Sequence, residues 1–330
     1  MKPSIVVVGS FVQDLTFQCE RFPQAGETTL GRFVTGPGGK GSNQAVAAAR
    51  AGVPTRFIGA VGSDDFARGA AAFHRAEKID SRLLTKPKHA TGAAGILVNA
   101  AGQNQIIVAI GASAALLPRD VPISLLRGAA VVVAQHEASL TVNQHVFRQA
   151  RSVGARTILN PAPMRDDFTP SMLETVDILI PNESEFIALV HLLPACNALV
   201  RKTPFADRGP FTIETLAGLS PDAFQQLCRA FNVPVLIVTL GGRGCFVSVA
   251  ERGEHLLAYP VKLVDSTGAG DAFVGGFAAG LVKFEGDPLR AAQYANAVAA
   301  LSVTKFGTSP SMPRAREINR FLARNQRRRT

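Results

Sequence analysis

The chain lacks most of the patterns that would assign it to another class. Its four cysteines, Cys19, Cys196, Cys228 and Cys245, show no Cys-x-x-Cys spacing, so they read as isolated, reduced thiols. Its six histidines form no His-Glu-x-x-His pattern. The first apolar run, Ile5 to Val8, ends at Gly9-Ser10 and is too short for a signal peptide or a membrane span. The turn after it reads Gly-Ser-Phe-Val-Gln-Asp, and no segment places Gly-x-Gly-x-x-Gly in the strand-to-helix context that a dinucleotide-binding dehydrogenase needs. No low-complexity linker or internal repeat divides the 330 residues, which argues for a single domain over 1–330. With 47 % hydrophobic and 18 % charged residues, the chain can bury a large core and fits a cytoplasmic enzyme.

A formal net charge of +10 invites a nucleic-acid reading. Much of the excess lies at the C-terminus, where Arg314, Arg316, Arg320, Arg324, Arg327, Arg328 and Arg329 stand against Glu317. Phe321 is alone there, without the aromatic interleaving of a single-strand binder. A solvated final helix with a basic tail is expected, and neither nucleic acid nor membrane is expected as a partner.

Apolar runs at Ile5–Val8, Arg56–Ala60, Ala130–Ala134, Thr157–Leu159, Ile178–Ile180 and Val235–Thr239 lack polar alternation. They read as strands buried on both faces. Helical stretches at 41–52, 64–77, 141–153, 182–191, 221–231, 269–284, 287–304 and 313–325 separate or follow them. That alternation predicts an α/β fold with a mostly parallel sheet covered on both sides. Residues 15–35 and 92–110 break it and read as antiparallel hairpin material. Residues 194–221 hold Pro194, Pro204, Pro210 and Pro221 and read as a surface insertion.

Three segments carry chemistry. Asp265-Ser-Thr-Gly268-Ala269-Gly270-Asp271 runs into an apolar, small-residue helix. A glycine-rich turn opening a helix points free N–H groups at one spot, where the helix dipole adds positive potential. A carboxylate in the first turn beside that anion site suits phosphoryl transfer: the amides hold phosphate, and Asp271 takes a proton from the attacking hydroxyl. Alone, such a motif reads first as a plain turn with Asp271 capping the helix, and it is the two other segments that change that reading. A second glycine-rich loop, Gly36-Pro37-Gly38-Gly39-Lys40-Gly41-Ser42-Asn43-Gln44, opens an alanine-rich helix stopped by Gly52 and Pro54. It is not a P-loop, because Gly41 follows Lys40 where Ser or Thr is required. The third, Pro181-Asn182-Glu183-Ser184-Glu185, follows an apolar run. Its Asn182 and Glu185 have capping-box spacing, so a cap is the first reading.

Together these segments resemble one family. Gly-Gly-Lys-Gly-Ser-Asn-Gln-Ala-Val-Ala-Ala-Ala-Arg resembles the N-terminal signature of ribokinases, and Asp-Ser-Thr-Gly-Ala-Gly-Asp-Ala-Phe the C-terminal signature of the wider PfkB carbohydrate kinases. Val8-Gly9-Ser10 with Asp14, Pro23 with Gly26-Glu27-Thr28, Asn160-Pro161-Ala162-Pro163, Thr239-Leu240-Gly241 and Gly307 near Ser311 follow in the family's order.

The resemblance implies a ribokinase-like fold in which the two hairpin segments form a small β-sheet lid over the sugar and pair two copies into a homodimer. It implies MgATP-dependent phosphorylation of a pentose, D-ribose first. A kinase for 2-deoxyribose, another sugar or a nucleoside, and a non-catalytic sugar-binding protein, are the alternatives. It assigns the sugar to Asp14, Gly39, Lys40, Asn43, Glu137 and Asp271. The nucleotide falls to Asn182, Thr239, Gly241 and Asn296, and water-mediated Mg²⁺ binding to Glu185. An activating K⁺ falls to Asp265, Thr267, Ser302, Lys305, Gly307 and Ser311. One position departs: many ribokinases carry a sugar-contacting Asn two residues before the aspartate, where this chain has Val12.

Overall fold

The computed structural model describes residues 4–203, 210–250 and 252–326. Pro204 and the arginines at 327–329 lie outside the described residues.

Thirteen strands form two sheets among the described residues. They are β1 (Ile5–Val8), β2 (Val12–Gln18), β3 (Arg32–Gly38), β4 (Thr55–Val61), β5 (Asp80–Thr85), β6 (Gly92–Val98), β7 (Asn104–Ala109), β8 (Val131–Gln135), β9 (Arg156–Asn160), β10 (Ile178–Leu179), β11 (Val235–Thr239), β12 (Cys245–Val249) and β13 (Arg252–Leu256). The large sheet runs β13-β12-β11-β10-β9-β8-β1-β4-β5. It is parallel from β11 to β5, with β12 and β13 added antiparallel at one edge. All six apolar runs expected as buried strands fall in its parallel part.

Successive residues of these strands feed opposite cores. Val6, Val8, Val132 and Ala134 belong to one, and Ile5, Val7, Val131 and Val133 to the other. This two-sided burial is why the strands read as unbroken apolar runs. The helices that cover them are α1 (Lys40–Arg50), α2 (Asp65–Ala76), α3 (Leu140–Ser152), α4 (Glu183–Leu192), α5 (Pro194–Val200), α6 (Ile213–Ala217), α7 (Pro221–Arg229), α8 (Ala269–Lys283), α9 (Pro288–Ser302) and α10 (Ala315–Gln326). Helix α8 is buried without interruption from Asp271 to Leu281, as expected of a helix that is apolar on every side. Its small residues permit close approach: a Cβ on Gly275 would lie 2.4 Å from the Gln44 carbonyl of α1.

The segment 194–221 is less superficial than expected. It forms α5 and α6 and sends Cys196, Phe211 and Leu216 into the core beside α7. Among the described residues no single helix is long and apolar enough to cross a membrane.

The second sheet has the order β3-β2-β6-β7. The β2–β3 and β6–β7 pairs are antiparallel, as the hairpin pattern predicts, but β2 and β6 pair in parallel and join the two hairpins. The sheet starts earlier than residue 15, so β2 carries Val12 and Asp14, and β3 leads through Gly38 directly into Gly39 and α1.

Candidate active site

Three helix starts and the ends of β1, β8, β9, β10 and β11 converge at the carboxyl edge of the large sheet, where open α/β sheets bind ligands. Gly39, the N-cap of α1, has φ 87°, and a Cβ there would sit 2.7 Å from the Val12 nitrogen. Only glycine lets the chain turn from β3 into α1 this close to β2. The first N–H of α1, on Lys40, donates to Glu137 Oε2 at 2.9 Å, and the Ser10 hydroxyl donates to the same oxygen. Glu137 therefore caps α1 from the loop after β8, a contact between residues 97 apart in sequence.

Asp271 lies in the first turn of α8, behind the left-handed Gly268. Both its carboxylate oxygens accept from side-chain amides: Oδ2 from Asn43 Nδ2 at 2.9 Å, Oδ1 from Gln44 Nε2 at 3.0 Å. Gln44 Nε2 also reaches Asn160 Oδ1 at 3.1 Å, and its Oε1 accepts from Gln135 Nε2 at 2.6 Å. Asn43 Oδ1 accepts from Ser309 Oγ at 2.6 Å. Asp271 is thus the end of a buried amide network that fixes its orientation without adding a formal charge. The Asn43 side chain, expected on the sugar, is engaged at both ends by Asp271 and Ser309. In the turn itself the Ala269 N–H closes on the Ser266 carbonyl at 3.1 Å. Among the described residues the N–H groups of Gly268, Gly270 and Asp271 have no protein acceptor, so these, rather than Ala269, are the amides available to an anion.

A cavity of about 190 Å³ opens over this turn, lined by Lys40, Asn160, Asn182, Glu185, Thr239, Ser266, Gly268, Ala269, Gly270 and Asp271 among others. Lys40 is the one cation among its described lining residues. Burial alone would lower the Lys40 ammonium, but Asp271, Glu137 and Glu185 outweigh it and hold the group above its ordinary value. Burial raises the carboxyls of Glu137 and Glu185, with Lys40 acting in the opposite sense on both. Burial also pushes Asp14 up to about 6, with Glu137 and Asp271 adding to the rise and a bond from Thr308 Oγ1 (3.2 Å) opposing it.

Asn182 and Glu185 form the expected capping box of α4, with Glu185 N–H donating to Asn182 Oδ1 at 2.8 Å and Asn182 N–H to Glu185 Oε2 at 2.9 Å. Both also line the cavity, so cap and site readings coexist. Thr239 closes the neighbouring wall, its N–H on the Pro181 carbonyl at 2.9 Å. A second, mostly apolar cavity of about 350 Å³ shares Ser266 and Ala269 with the first and is lined by Gly241, Gly242, Tyr259, Val261, Leu263, Asn296 and Ala300 among others. Asn296 lines it, but its amide is committed to the Leu256 and Leu257 carbonyls at 3.3 and 3.4 Å. A larger open depression of about 690 Å³ lies at the opposite end of the strands, around Arg156, Ile178 and Val235, and includes none of these residues.

The residues expected around a monovalent cation are brought together in part. Asp265 Oδ1 accepts from the Thr267 N–H and hydroxyl, at 2.9 and 2.6 Å, while its Oδ2 accepts from the Gly307 N–H at 2.9 Å. This draws the 265–267 and 302–311 loops into contact. The Lys305 ammonium points instead to Glu317 at 2.7 Å, so that residue can offer only its carbonyl. Among the described residues no cluster of three or more His, Cys, Asp or Glu is placed to hold a metal. Sequence reasoning missed Gln44, Gln135, Thr308 and Ser309 as site residues.

A profile of the pfkB family of carbohydrate kinases matches residues 2–315. The chain belongs to that family. A ribokinase of Mus musculus is 34 % identical over 322 residues, covering 96 % of this chain and 93 % of that one. A deoxyribokinase of Salmonella typhi is 31 % identical over 332 residues, covering 98 % and 99 %. The structure of Arabidopsis thaliana ribokinase complexed with ribose and ATP superposes with a TM-score of 0.80 at 28 % identity, covering 98 % of this kinase and 99 % of that chain. The nine-stranded sheet and the small four-stranded sheet are thus those of a ribokinase-like carbohydrate kinase.

Proposed function

We propose that this kinase transfers the γ-phosphoryl group of ATP to O5 of D-ribose, giving D-ribose 5-phosphate and ADP. The observation that carries the reading is Asp271, held by two amides beside the free N–H groups of a glycine turn and a half-buried Lys40. In the reaction the O5–Pγ bond forms as the bond from Pγ to the bridging oxygen of ADP breaks, and the O5 proton passes to Asp271. Phosphoryl-transfer transition states are loose, so alignment and charge stabilisation dominate. The amides of Gly268 and Gly270 hold the equatorial oxygens. Lys40 faces the same cavity and counters the charge of the nearby carboxylates. Asp14 and Glu137 accept hydroxyls of the sugar, a task suited to carboxylates because each oxygen has two acceptor sites. The apolar cavity around Tyr259, Val261 and Ala300 suits a flat base, with Thr239 and Gly241 between it and the phosphates.

Glu185, a single carboxylate beside Asn182, fits a Mg²⁺ ion that keeps most of its waters and takes its other ligands from phosphates. Mg²⁺ would neutralise phosphate charge there. Asp265 with the carbonyls of 302–311 fits a monovalent cation next to the anion site. The lid exposes Phe17, Phe33 and Ile107 on one face and Val34, Ile106 and Val108 on the other, by strand alternation, and we infer that a second copy covers part of this surface. Cytoplasmic action fits the use of ATP and the free cysteines.

One observation favours a second reading. Val12 lies on the Asp14 side of β2 and is 2 % exposed, so it offers no hydrogen bond to a sugar hydroxyl. With a deoxyribokinase among the relatives, 2-deoxy-D-ribose is the rival acceptor. ATP consumption with D-ribose, 2-deoxy-D-ribose, D-fructose and adenosine tests both. Ribose-dependent turnover that Asp271→Asn reduces by roughly three orders of magnitude is expected. Turnover with deoxyribose alone moves the assignment to the rival, and turnover with none removes the kinase reading.

A further inference from the structure

The last residue of α1, Arg50, lines neither cavity, yet its guanidinium is bonded through all three of its nitrogens. Its side chain is 11 % exposed and its partner Glu77 8 %. Arg50 Nε and Nη2 form a fork on Glu77, at 2.9 and 2.7 Å, and this pairing holds the Glu77 carboxyl below its ordinary value. Nη1 donates to three carbonyls, Ser309 at 3.0 Å, Pro310 at 3.1 Å and Met312 at 2.8 Å. A cation ending a helix would ordinarily meet the carbonyls of its own last turn. Arg50 instead gathers those of a turn about 260 residues away.

That turn touches both ends of the reaction centre. Thr308 Oγ1 lies 3.2 Å from Asp14 Oδ2 and 3.3 Å from the Pro37 carbonyl of the lid. Ser309 Oγ donates to Asn43, which donates to Asp271. The carboxylate proposed to receive the sugar and the carboxylate proposed to act as base are thus each two or three bonds from one guanidinium.

We propose that Arg50, locked by Glu77, is a positioning residue that sets the spacing between Asp14 and Asp271 through the 308–312 turn. The proposal rests on the sugar-kinase reading above. Lysine cannot substitute: it has three donors on a point charge and no fork with which to hold a carboxylate and several carbonyls together. Misplacing reacting groups by about 1 Å costs on the order of 100-fold in rate, so a loosened turn is read in catalysis before it is read in folding.

The test compares Arg50→Lys, Ser309→Ala and the double variant with wild type, each first checked for a cooperative melt. Arg50→Lys is expected to lower kcat and kcat/KM for the sugar by roughly 10- to 100-fold while KM for ATP stays within about twofold. Ser309→Ala breaks only the far end of the path and is expected to lower kcat. The double variant should fall no further than the worse single, because both changes interrupt one path. A lower melting temperature with unchanged kcat and KM would make Arg50 a stability residue and overturn the proposal, as would losses that multiply independently in the double variant. If the wild type turns over no sugar, the kinase reading is what fails. The clamp is then judged by amide hydrogen exchange over 307–312, expected to be at least about tenfold faster in folded Arg50→Lys; unchanged exchange overturns it.

Discussion

Asp14 gives the prediction whose size follows most directly from the structure. Burial raises its carboxyl from the ordinary 3.8 to about 6. If the ionised form receives the sugar hydroxyls, the competent fraction of free enzyme is ~99 % at pH 8, about half at pH 6 and ~9 % at pH 5. Sugar kcat/KM should then drop ~10-fold between pH 8 and pH 5, whereas an ordinary aspartate would cost under ~10 % over that range. The assay is initial rate at low sugar and saturating MgATP across pH 5–8. Asp14→Asn should be slower throughout and lack the limb near pH 6. Glu137 is also raised by burial and adds to the rise at Asp14, so Glu137→Gln should keep this limb but move it somewhat below pH 6. A wild-type profile flat to pH 5, or an Asp14→Asn profile with the same midpoint, refutes the reasoning. Stability carries the matching signature. The folded state takes up a proton at Asp14 more readily than the unfolded chain, so stability falls as pH rises from about 3.8 to about 6 and stays low above. The difference is on the order of 3 kcal/mol. Asp14→Asn should therefore melt above wild type at pH 7.5 and lose most of that advantage by pH 4.

Gln44→Leu keeps the volume but removes one donor from Asp271 and one link to Gln135. It should lower kcat by ~10- to 100-fold with KM for ATP little changed, and wild-type kcat would show that the amide network is not needed to orient the base. Exchanging K⁺ for a bulky organic cation should lower activity and flatten the response to added KCl in Asp265→Ala; equal rates in both buffers would remove the cation site. Ile107→Glu, on the exposed lid face, should shift sedimentation towards monomer at micromolar concentration, and an unchanged species would place any self-association elsewhere.

The parallel part of the fold was legible because burial on both faces leaves continuous apolar runs, and because glycines and side-chain caps punctuate the helices. All eight expected helices are present within about two residues at each end. The strands not expected were β5 and β13, at the two edges of the sheet, and β12, one strand in from β13. β5 begins Asp-Ser-Arg, and β13 reads Arg-Gly-Glu-His-Leu. Such segments become strands through the neighbour they pair with, which local composition does not record. The same holds for the site. Asp271 and its glycine turn are contiguous and readable. The network that holds Asp271 joins Gln44 to residues 91, 116 and 227 positions away through neutral amides, which have no characteristic spacing.

The use of neutral amides around the proposed base has a physical logic. Asp271, Glu137 and Glu185 act on the one ammonium of Lys40, and Asp14 lies within reach of Glu137 and Asp271, so the centre is already rich in negative charge. A guanidinium on Asp271 would fix its position equally well, but it would also compete with the sugar hydroxyl for the same oxygens and weaken the base. Asn43 and Gln44 donate one bond to each oxygen, and each oxygen retains further acceptor capacity for an incoming hydroxyl. In the proposed reaction, positive charge is supplied where phosphate would arrive instead, by Lys40 and the amides that open α8. A nucleotide triphosphate entering beside four carboxylates needs its own counter-charge, which is why the centre fits a nucleotide accompanied by a divalent cation better than the free anion. ATP without a divalent ion should bind weakly, and raising the free metal concentration should lower the apparent KM for ATP before it changes kcat.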